Sequence, residues 1–284
     1  MIDLLSHPFM LRALIAAAVT GLAAPAIGTY LVQRRLALLG DGLGHVAVTG
    51  VALGLLTGAS PTWLAVVVAI AGAMGIEVIR ERGHTSGDVA LALLFYGGLA
   101  GGVLVTGLAG QSAARLQEYL FGSVTSVSVD DLLATVGLAA VVVVACLALL
   151  PQLFAVSQDE DFARVAGVPI RFYNLLVAVL AAVTVTVAMR TVGLLLVSAL
   201  MVVPVATAQQ VTRSFRSTLT AAMVLGVAAA LGGLLLAAFL STVPLTVAPG
   251  PTIVLLSLTG FALAWPLGLW RRRRHRSTPE VSRA

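Results

Sequence analysis

The sequence predicts an all-α protein, a polytopic transmembrane helical bundle, and three observations support this prediction. Of the 284 residues, 59% are hydrophobic and only 10% are charged, with a mean hydropathy of +1.04. A soluble domain of this size needs more polar surface than such a composition provides. Apolar runs of about 17–25 residues recur along the chain, which is the length that a helix needs to cross the bilayer core. Arginines cluster at the ends of these runs.

Nine apolar segments are the candidate spans, and eight spans remain the alternative if one segment is re-entrant. The count depends most on residues 172–209, because a single helix of that length would rise about 57 Å, nearly twice the hydrocarbon core. This stretch must therefore turn, and the sequence places the turn at Met189-Arg190-Thr191. The predicted segments are residues 10–32, 43–59, 62–79, 89–109, 131–150, 172–189, 191–209, 217–240 and 251–270.

The distribution of basic residues predicts the orientation of the bundle. All 17 basic residues are arginines, and with the N-terminus outside fourteen of them fall on the cytoplasmic side. This asymmetry agrees with the positive-inside rule and places the C-terminus in the cytoplasm. Because the arginines mark the ends of spans, the pI of about 10.3 does not indicate a nucleic-acid partner. We therefore expect a multi-pass protein of the cell (inner) membrane, in contact with lipid.

Two domains of unequal size follow from the same pattern. Residues 1–270 form the predicted transmembrane domain, and residues 271–284 form a basic cytoplasmic tail that we expect to be disordered. Such an arginine-rich tail would lie at the anionic inner leaflet.

Two connections between spans are long enough to hold structure of their own. The outer connection, residues 110–130, contains an amphipathic patch that either lies along the membrane interface or forms an ordinary loop helix. The inner connection, residues 151–171, begins with acidic residues, continues with an apolar stripe and ends in Gly167-Val168-Pro169. This order predicts one short capped helix. A cytoplasmic helix between spans is a feature that a permease can offer to a motor subunit.

Two ionisable residues stand in an otherwise apolar neighbourhood, in Gly40-Asp41-Gly42-Leu43-Gly44-His45. Asp41 and His45 are four residues apart and therefore share one face of a helix. A carboxylate and an imidazole suit a divalent transition metal such as zinc or manganese, and ionisable groups inside a membrane usually face a partner, a cavity or a pathway. The alternative is that Asp41 is the N-cap of a helix and His45 is a histidine near the helix end.

Several enzymatic chemistries are absent from the sequence. The chain has no lysine and no Gly-x-x-x-x-Gly-Lys-Ser/Thr phosphate loop, so it does not bind ATP by that route. It also has no His-Glu-x-x-His motif and no cluster of cysteines. Glu77 and Asp88 flank predicted inner boundaries, where we expect them to pair with Arg80 or Arg82. These features predict a transport subunit rather than an enzyme, with no permanently bound cofactor.

The segment Arg34–His45 resembles the Arg-Arg … Gly-Asp-x-x-x-His segment of the zinc/manganese permeases of ATP-binding-cassette importers. Three further blocks are similar to that family in the same order, namely Tyr119–Gly122, Ala163–Val168 and Val192–Ala208. The resemblance covers roughly residues 8–270, and four blocks in register make it specific. It implies a permease for divalent zinc or manganese, with iron as a further possibility.

The resemblance also implies partners and residue roles. It implies a homodimer with a second copy of the chain, a cytoplasmic ATP-binding-cassette ATPase that hydrolyses ATP, and an extracytoplasmic metal-binding receptor protein. Asp41 and His45 match the polar pair that contacts the transported ion. The segment that matches the ATPase-docking region comprises Asp161, Phe162, Ala163, Arg164, Val165, Ala166, Gly167 and Val168.

The chain departs from the family pattern at two places. Gly44 stands where relatives commonly have serine. The fourth predicted span reads Leu91-Ala92-Leu93-Leu94-Phe95-Tyr96 where some zinc-type members carry a second intramembrane histidine. The sequence therefore does not choose between zinc and manganese.

Two alternatives from other classes remain at this point. A secondary cation transporter would need no motor, and it would be expected to have inverted repeats and further buried carboxylates. An importer permease for a metal chelate or an organic ligand would be expected to have a wide cavity in which Asp41 and His45 do not converge.

Overall fold

The computed structural model describes residues 8–81, 87–110, 122, 128–241 and 247–276, and in these ranges the chain forms helices and no β-strand. Helices of membrane-spanning length alternate with short connections, in agreement with the predicted all-α bundle. The helices are α1 (Pro8–Gln33), α2 (Leu39–Thr57), α3 (Pro61–Glu81), α4 (Gly87–Leu108), α5 (Val129–Ala148), α6 (Leu150–Gln158), α7 (Glu160–Val165), α8 (Ile170–Val192), α9 (Leu194–Val211), α10 (Phe215–Leu240) and α11 (Pro249–Arg276).

Nine of the helices in the described ranges are long and apolar enough to cross a membrane. They correspond to the nine segments predicted from hydropathy, because a run of about 20 apolar residues is a strong and local signal. The remaining two, α6 and α7, lie in the predicted inner connection. The predicted outer amphipathic patch lies outside the described residues except for Gly122.

The helices that fill residues 170–211 meet at Gly193, and the predicted turn at Met189-Arg190-Thr191 is wrong. Helix α8 continues without a break through Val192, and α9 begins at Leu194. Gly193 has φ 96° and ψ 145°, a conformation that side-chain-bearing residues rarely adopt. The hydropathy pattern indicated Arg190 because it is the one charged residue in the sequence between 172 and 209, whereas the break occurs where the backbone can take this conformation.

The C-terminal helix α11 crosses the predicted boundary between the membrane domain and the basic tail. Helix α11 extends as far as Arg276, past the predicted end of the membrane domain at residue 270. Arginine is a good helix former and no glycine or proline interrupts residues 271–276, which agrees with the continued helix. The division into a membrane domain and a disordered tail stays a prediction. Residues 277–284 lie outside the described residues.

Helix α1 is the central element of the bundle, and small residues let its neighbours approach closely. A Cβ atom on Gly21 would lie 2.7 Å from the carbonyl oxygen of Gly226 in α10. A Cβ atom on Gly28 would overlap the carbonyl of Met201 in α9. Such contacts between backbones are the usual way in which membrane helices associate, since lipid provides no hydrophobic driving force between them.

We expect Gly28→Ala to lower the thermal stability of the detergent-solubilised protein. The added methyl group has no room against Met201, and overpacking of this kind costs about 1–3 kcal/mol. Gly75→Ala in α3 is the matched control, because a Cβ atom there has open space around it. The control should melt at the wild-type temperature or above it, since alanine favours a helix over glycine by roughly 0.5–1 kcal/mol. Equal melting temperatures for both variants would contradict the close contact of α1 with α9 at Gly28.

Candidate metal site

A tight turn between α1 and α2 sets the start of the helix that carries Asp41 and His45. The amide of Leu36 donates to the carbonyl of Leu31 at 2.8 Å, and the amide of Arg35 donates to Val32 at 3.1 Å. This is the Schellman arrangement that closes a helix, and Arg35 occupies its left-handed position with φ 60°. Helix α2 then begins at Leu39, so both predicted site residues lie within its first two turns.

Asp41 lies in the first turn of α2 but is not its N-cap. The N-cap is Leu38, and no side-chain hydrogen bond caps the helix. The half-buried carboxylate of Asp41 makes no ion pair or hydrogen bond with other described residues. It lines an open cavity of about 320 Å³ between α2 and α4, together with Leu38, Leu91, Ala92, Phe95 and Tyr96. The carboxylate is therefore available to a ligand, and the capping alternative is wrong.

His45 lies one turn further along the same helix and is more deeply buried. It is 8% exposed, and its ring packs edge-to-face on Phe95 with the ring centroids 4.5 Å apart. The four-residue spacing places Asp41 and His45 one turn apart on the same face of α2. The structure thus brings the two predicted residues together, with Asp41 at the cavity and His45 behind the aromatic wall.

The wall formed by α4 was not predicted as part of the site. Phe95 and Tyr96 line the cavity in the stretch where some zinc-type permeases carry a histidine. The spacing of Leu91, Ala92, Phe95 and Tyr96 places these four residues on one helix face, and this periodicity was the available signal. Sequence reasoning missed it because every residue of the stretch is apolar or aromatic, as in any span.

Contacts on two sides fix the position of α2. A Cβ atom on Gly98 of α4 would lie 2.6 Å from the amide nitrogen of Val46, so the two backbones touch beside His45. The hydroxyl of Thr49 donates to the carbonyl of Gly98 at 2.8 Å and joins the same pair of helices. On another side, a Cβ atom on Gly44 would overlap the side chain of Leu194 at the start of α9.

We expect Gly44→Ser, which introduces the residue common in relatives, to destabilise this chain by about 1–3 kcal/mol, because Leu194 occupies the space. The double variant Gly44→Ser/Leu194→Ala should be less destabilised than the sum of the two single variants, since the truncated side chain makes room for serine. Thermal unfolding of all three variants measures this coupling. Strictly additive effects would show that contact with Leu194 is not the reason that position 44 requires glycine.

One chain supplies only part of a coordination sphere. Within the described residues no three or more histidine, cysteine, aspartate or glutamate side chains come together. Asp41 and His45 therefore offer two donor side chains, whereas a protein-bound zinc ion usually has four ligands. The arrangement can bind a transition metal firmly only when further ligands come from another molecule.

The predicted short helix of the inner connection is confirmed as α7 (Glu160–Val165). The carboxylate of Asp159 caps it by accepting from the amides of Asp161 and Phe162 at 2.9 and 3.0 Å. At its other end, the amide of Val168 donates to the carbonyl of Ala163 at 3.0 Å, and Gly167 has φ 78°. The helix is thus rigidly capped at both ends despite its length.

The two faces of α7 differ sharply in exposure. Ala163 is fully buried, whereas the apolar side chains of Phe162 and Val165 are 67% and 89% exposed. Arg164 and Asp161 form an exposed ion pair of 2.9 Å on the same helix. An exposed apolar face rimmed by charged residues is typical of a surface that contacts another molecule.

Membrane-length helices, a carboxylate in the wall of a cavity with a histidine one turn behind it, and a capped amphipathic helix between two spans are the features expected of a membrane permease. The chain belongs to the ABC 3 transport family, whose model matches residues 6–266. It is thus a permease subunit of an ATP-binding-cassette transporter and a multi-pass protein of the cell membrane. This membership confirms the resemblance drawn from the four sequence blocks and disfavours a secondary transporter.

The chain is similar to characterised permeases over nearly its whole length. It is 32% identical to the manganese transport system membrane protein MntC of Halalkalibacterium halodurans, covering 93% of this chain and 88% of the relative. It is 30% identical to the high-affinity zinc uptake system membrane protein ZnuB of Haemophilus influenzae, covering 92% and 97%. Among solved structures, PsaBC from Streptococcus pneumoniae in complex with Fab matches with a TM-score of 0.81 and 30% identity, covering 93% and 94%.

Proposed function

We propose that this chain is the permease subunit of an ATP-driven importer for divalent transition metal ions, with manganese or zinc as the substrate. The observation that carries the proposal is the Asp41 carboxylate, which lines a cavity between two membrane helices. Among the described residues it has no hydrogen-bond or ion-pair partner. A carboxylate inside a membrane is costly without such a role. Similarity to relatives that are named for manganese and for zinc supports the same class of substrate.

A second copy of the chain completes the site in this proposal. Two donor side chains from each copy give four, a number that suits a transiently dehydrated transition metal ion. The cavity in front of Asp41 is open, so a partner can face it, and Leu38 and Tyr96 at its edge are 70% and 67% exposed. Ligands shared between two copies hold the ion weakly enough for it to leave again.

The remaining partners follow from the direction of transport. The exposed face of α7 docks a cytoplasmic ATP-binding-cassette ATPase, which supplies the energy. The arginines at the ends of the spans favour a cytoplasmic position for this face, with the N-terminus outside. An extracytoplasmic receptor protein delivers the metal ion to the opposite side. The chain itself hydrolyses nothing, and the metal is its cargo rather than a resident cofactor.

Uptake by the reconstituted complex of permease, ATPase and receptor tests this function, with manganese, zinc and iron offered in turn. We expect ATP-dependent uptake of manganese or zinc as free divalent ions. Uptake of a metal chelate without uptake of any free ion would overturn the proposal and favour the permease for a chelated ligand.

A further inference from the structure

A partly buried ion pair connects the turn in front of α2 to the docking helix α7. Arg34 donates through Nη2 to Oε1 of Glu160 at 2.8 Å, although the two residues are 126 positions apart in the sequence. The side chain of Arg34 is only 5% exposed, whereas that of Glu160 is 43% exposed. Asn174 of α8, which is buried, donates to the same carboxylate oxygen at 3.3 Å.

Arg34 lies where a small movement reaches the metal site. It follows the last residue of α1, and its amide donates to Tyr30 at 3.1 Å. The Schellman turn fixes the chain from Arg34 to Leu36, and α2 begins shortly afterwards at Leu39. A displacement of the Arg34 side chain therefore acts on a short and well-ordered connection to Asp41.

Glu160 lies on the opposite side of α7 from the exposed apolar residues. It is the first residue of the helix, and its carboxylate points to the bundle, where Arg34 holds it. Phe162 and Val165 point away, into the space where the proposed ATPase binds. A partner that moves α7 through its exposed face therefore pulls on Arg34 through Glu160.

The position of the buried Arg34 side chain depends on the charged groups around it. Burial lowers the pKa of Arg34 below its ordinary value, and the carboxylates of Glu77 and Glu160 oppose that effect. Glu77 of α3 is itself buried and forms the predicted ion pair with Arg80, at 2.8 Å. The ion pair of the Arg34 guanidinium is with Glu160, so its position depends on the element that carries Glu160.

We propose that Arg34 and Glu160 are positioning residues that transmit the movement of the ATPase-bound docking helix to Asp41 and His45. This inference rests on the proposed function, because it assigns the means by which ATP hydrolysis reaches the metal site. Neither residue touches the metal. Their ion pair couples two sites, and couplings of this kind change affinities or rates by about 5–150-fold.

Charge reversal tests the link in the complete transporter. Arg34→Glu and Glu160→Arg should each retain assembly and ATP hydrolysis but lower the amount of metal transported per ATP by about tenfold. The double variant Arg34→Glu/Glu160→Arg restores an opposite-charge pair and should recover most of the transport. Wild-type transport per ATP in the single variants, or no recovery in a double variant that assembles normally, would overturn the proposal. If a reversal prevents assembly, Glu160→Gln removes the charge while keeping the shape, and the same loss is expected.

Arg171→Glu is the matched control for these variants. Arg171 belongs to α8 and makes a looser contact of 3.5 Å with Glu81, and its side chain is 87% exposed. The control carries the same change of charge close to the docking helix, but it breaks no buried pair. It should transport as the wild type does, and an equal loss in the control would overturn a specific role for Arg34.

A second readout does not depend on metal transport. Cys146 is the single cysteine and is buried, so Cys146→Ala provides a background for a reporter thiol. In that background, Leu38→Cys places the thiol at the edge of the cavity beside Asp41. We expect ATP to change the rate of thiol labelling, and Arg34→Glu to remove this response. If the transporter moves no metal but shows this pattern of thiol labelling, the proposed function is refuted, whereas the coupling through Arg34 and Glu160 is supported. If ATP changes the labelling rate in Arg34→Glu as it does in the parent, the coupling through Arg34 and Glu160 is refuted.

Discussion

Replacement of Asp41 or His45 by alanine is expected to abolish metal uptake while membrane insertion and assembly with the ATPase remain intact. Each substitution removes one donor side chain from each copy, so the shared site falls from four to two. Loss of a residue that only supports a ligand already costs about 10–100-fold in affinity, and loss of a ligand should cost more. The measurement is ATP-dependent uptake of manganese and zinc into proteoliposomes that contain the complete transporter.

The controls separate coordination from packing. Asp41→Asn keeps the shape of the side chain and removes the charge, so it should fail as alanine does. Leu93→Ala truncates an exposed residue of α4 that carries no donor atom and does not line the cavity, and it should transport as the wild type does. Wild-type uptake in Asp41→Ala and His45→Ala would remove the assignment of the site, although the helical bundle would be unaffected.

The spans and the polar pair could be predicted because both depend on local signals. An apolar run of membrane length is visible without knowing its neighbours, and the four-residue spacing of Asp41 and His45 places them on one helix face by geometry alone. The ion pair of Glu77 with Arg80 is local as well, since the two residues are three positions apart on α3. The short capped helix α7 was predictable for the same reason, from its acidic start and its closing glycine.

The features that sequence reasoning missed depend on contacts between distant segments. Nothing near Arg34 indicates that its partner is Glu160, and nothing near Gly44 indicates Leu194. The aromatic wall of Phe95 and Tyr96 becomes part of the site only because α4 packs against α2 at Gly98. The turn at Gly193 was misplaced because hydropathy reports polarity, whereas a change of backbone direction depends on the allowed φ and ψ angles.

Replacement of Val165 by aspartate is expected to release the ATPase from the permease. Val165 is 89% exposed on α7, and the neighbouring Phe162 is 67% exposed. Charged residues on either side, Asp161 and Arg164, make burial of this face in lipid unfavourable. A partner protein covers it in the proposed complex, and a charge at the centre of the contact should cost about 2 kcal/mol, the size of a hot-spot loss, which corresponds to about 30-fold in affinity.

Co-purification of the ATPase with the permease measures this release. Replacement of Ala166 or Gly167 by bulky residues should also release the ATPase. Gly167 adds a second reason, because its φ of 78° is unfavourable for any residue with a side chain, so α7 would also lose its closing turn. Ala59→Asp is the control, since it introduces the same charge at an exposed position in the turn between α2 and α3, at the other end of these helices from Asp41 and Glu81. If the Val165→Asp and Ala59→Asp variants co-purify with equal amounts of ATPase, the ATPase does not bind at the exposed face of α7. The Arg34–Glu160 pair would then lack a source of movement, because α7 would no longer be the element that the ATPase moves.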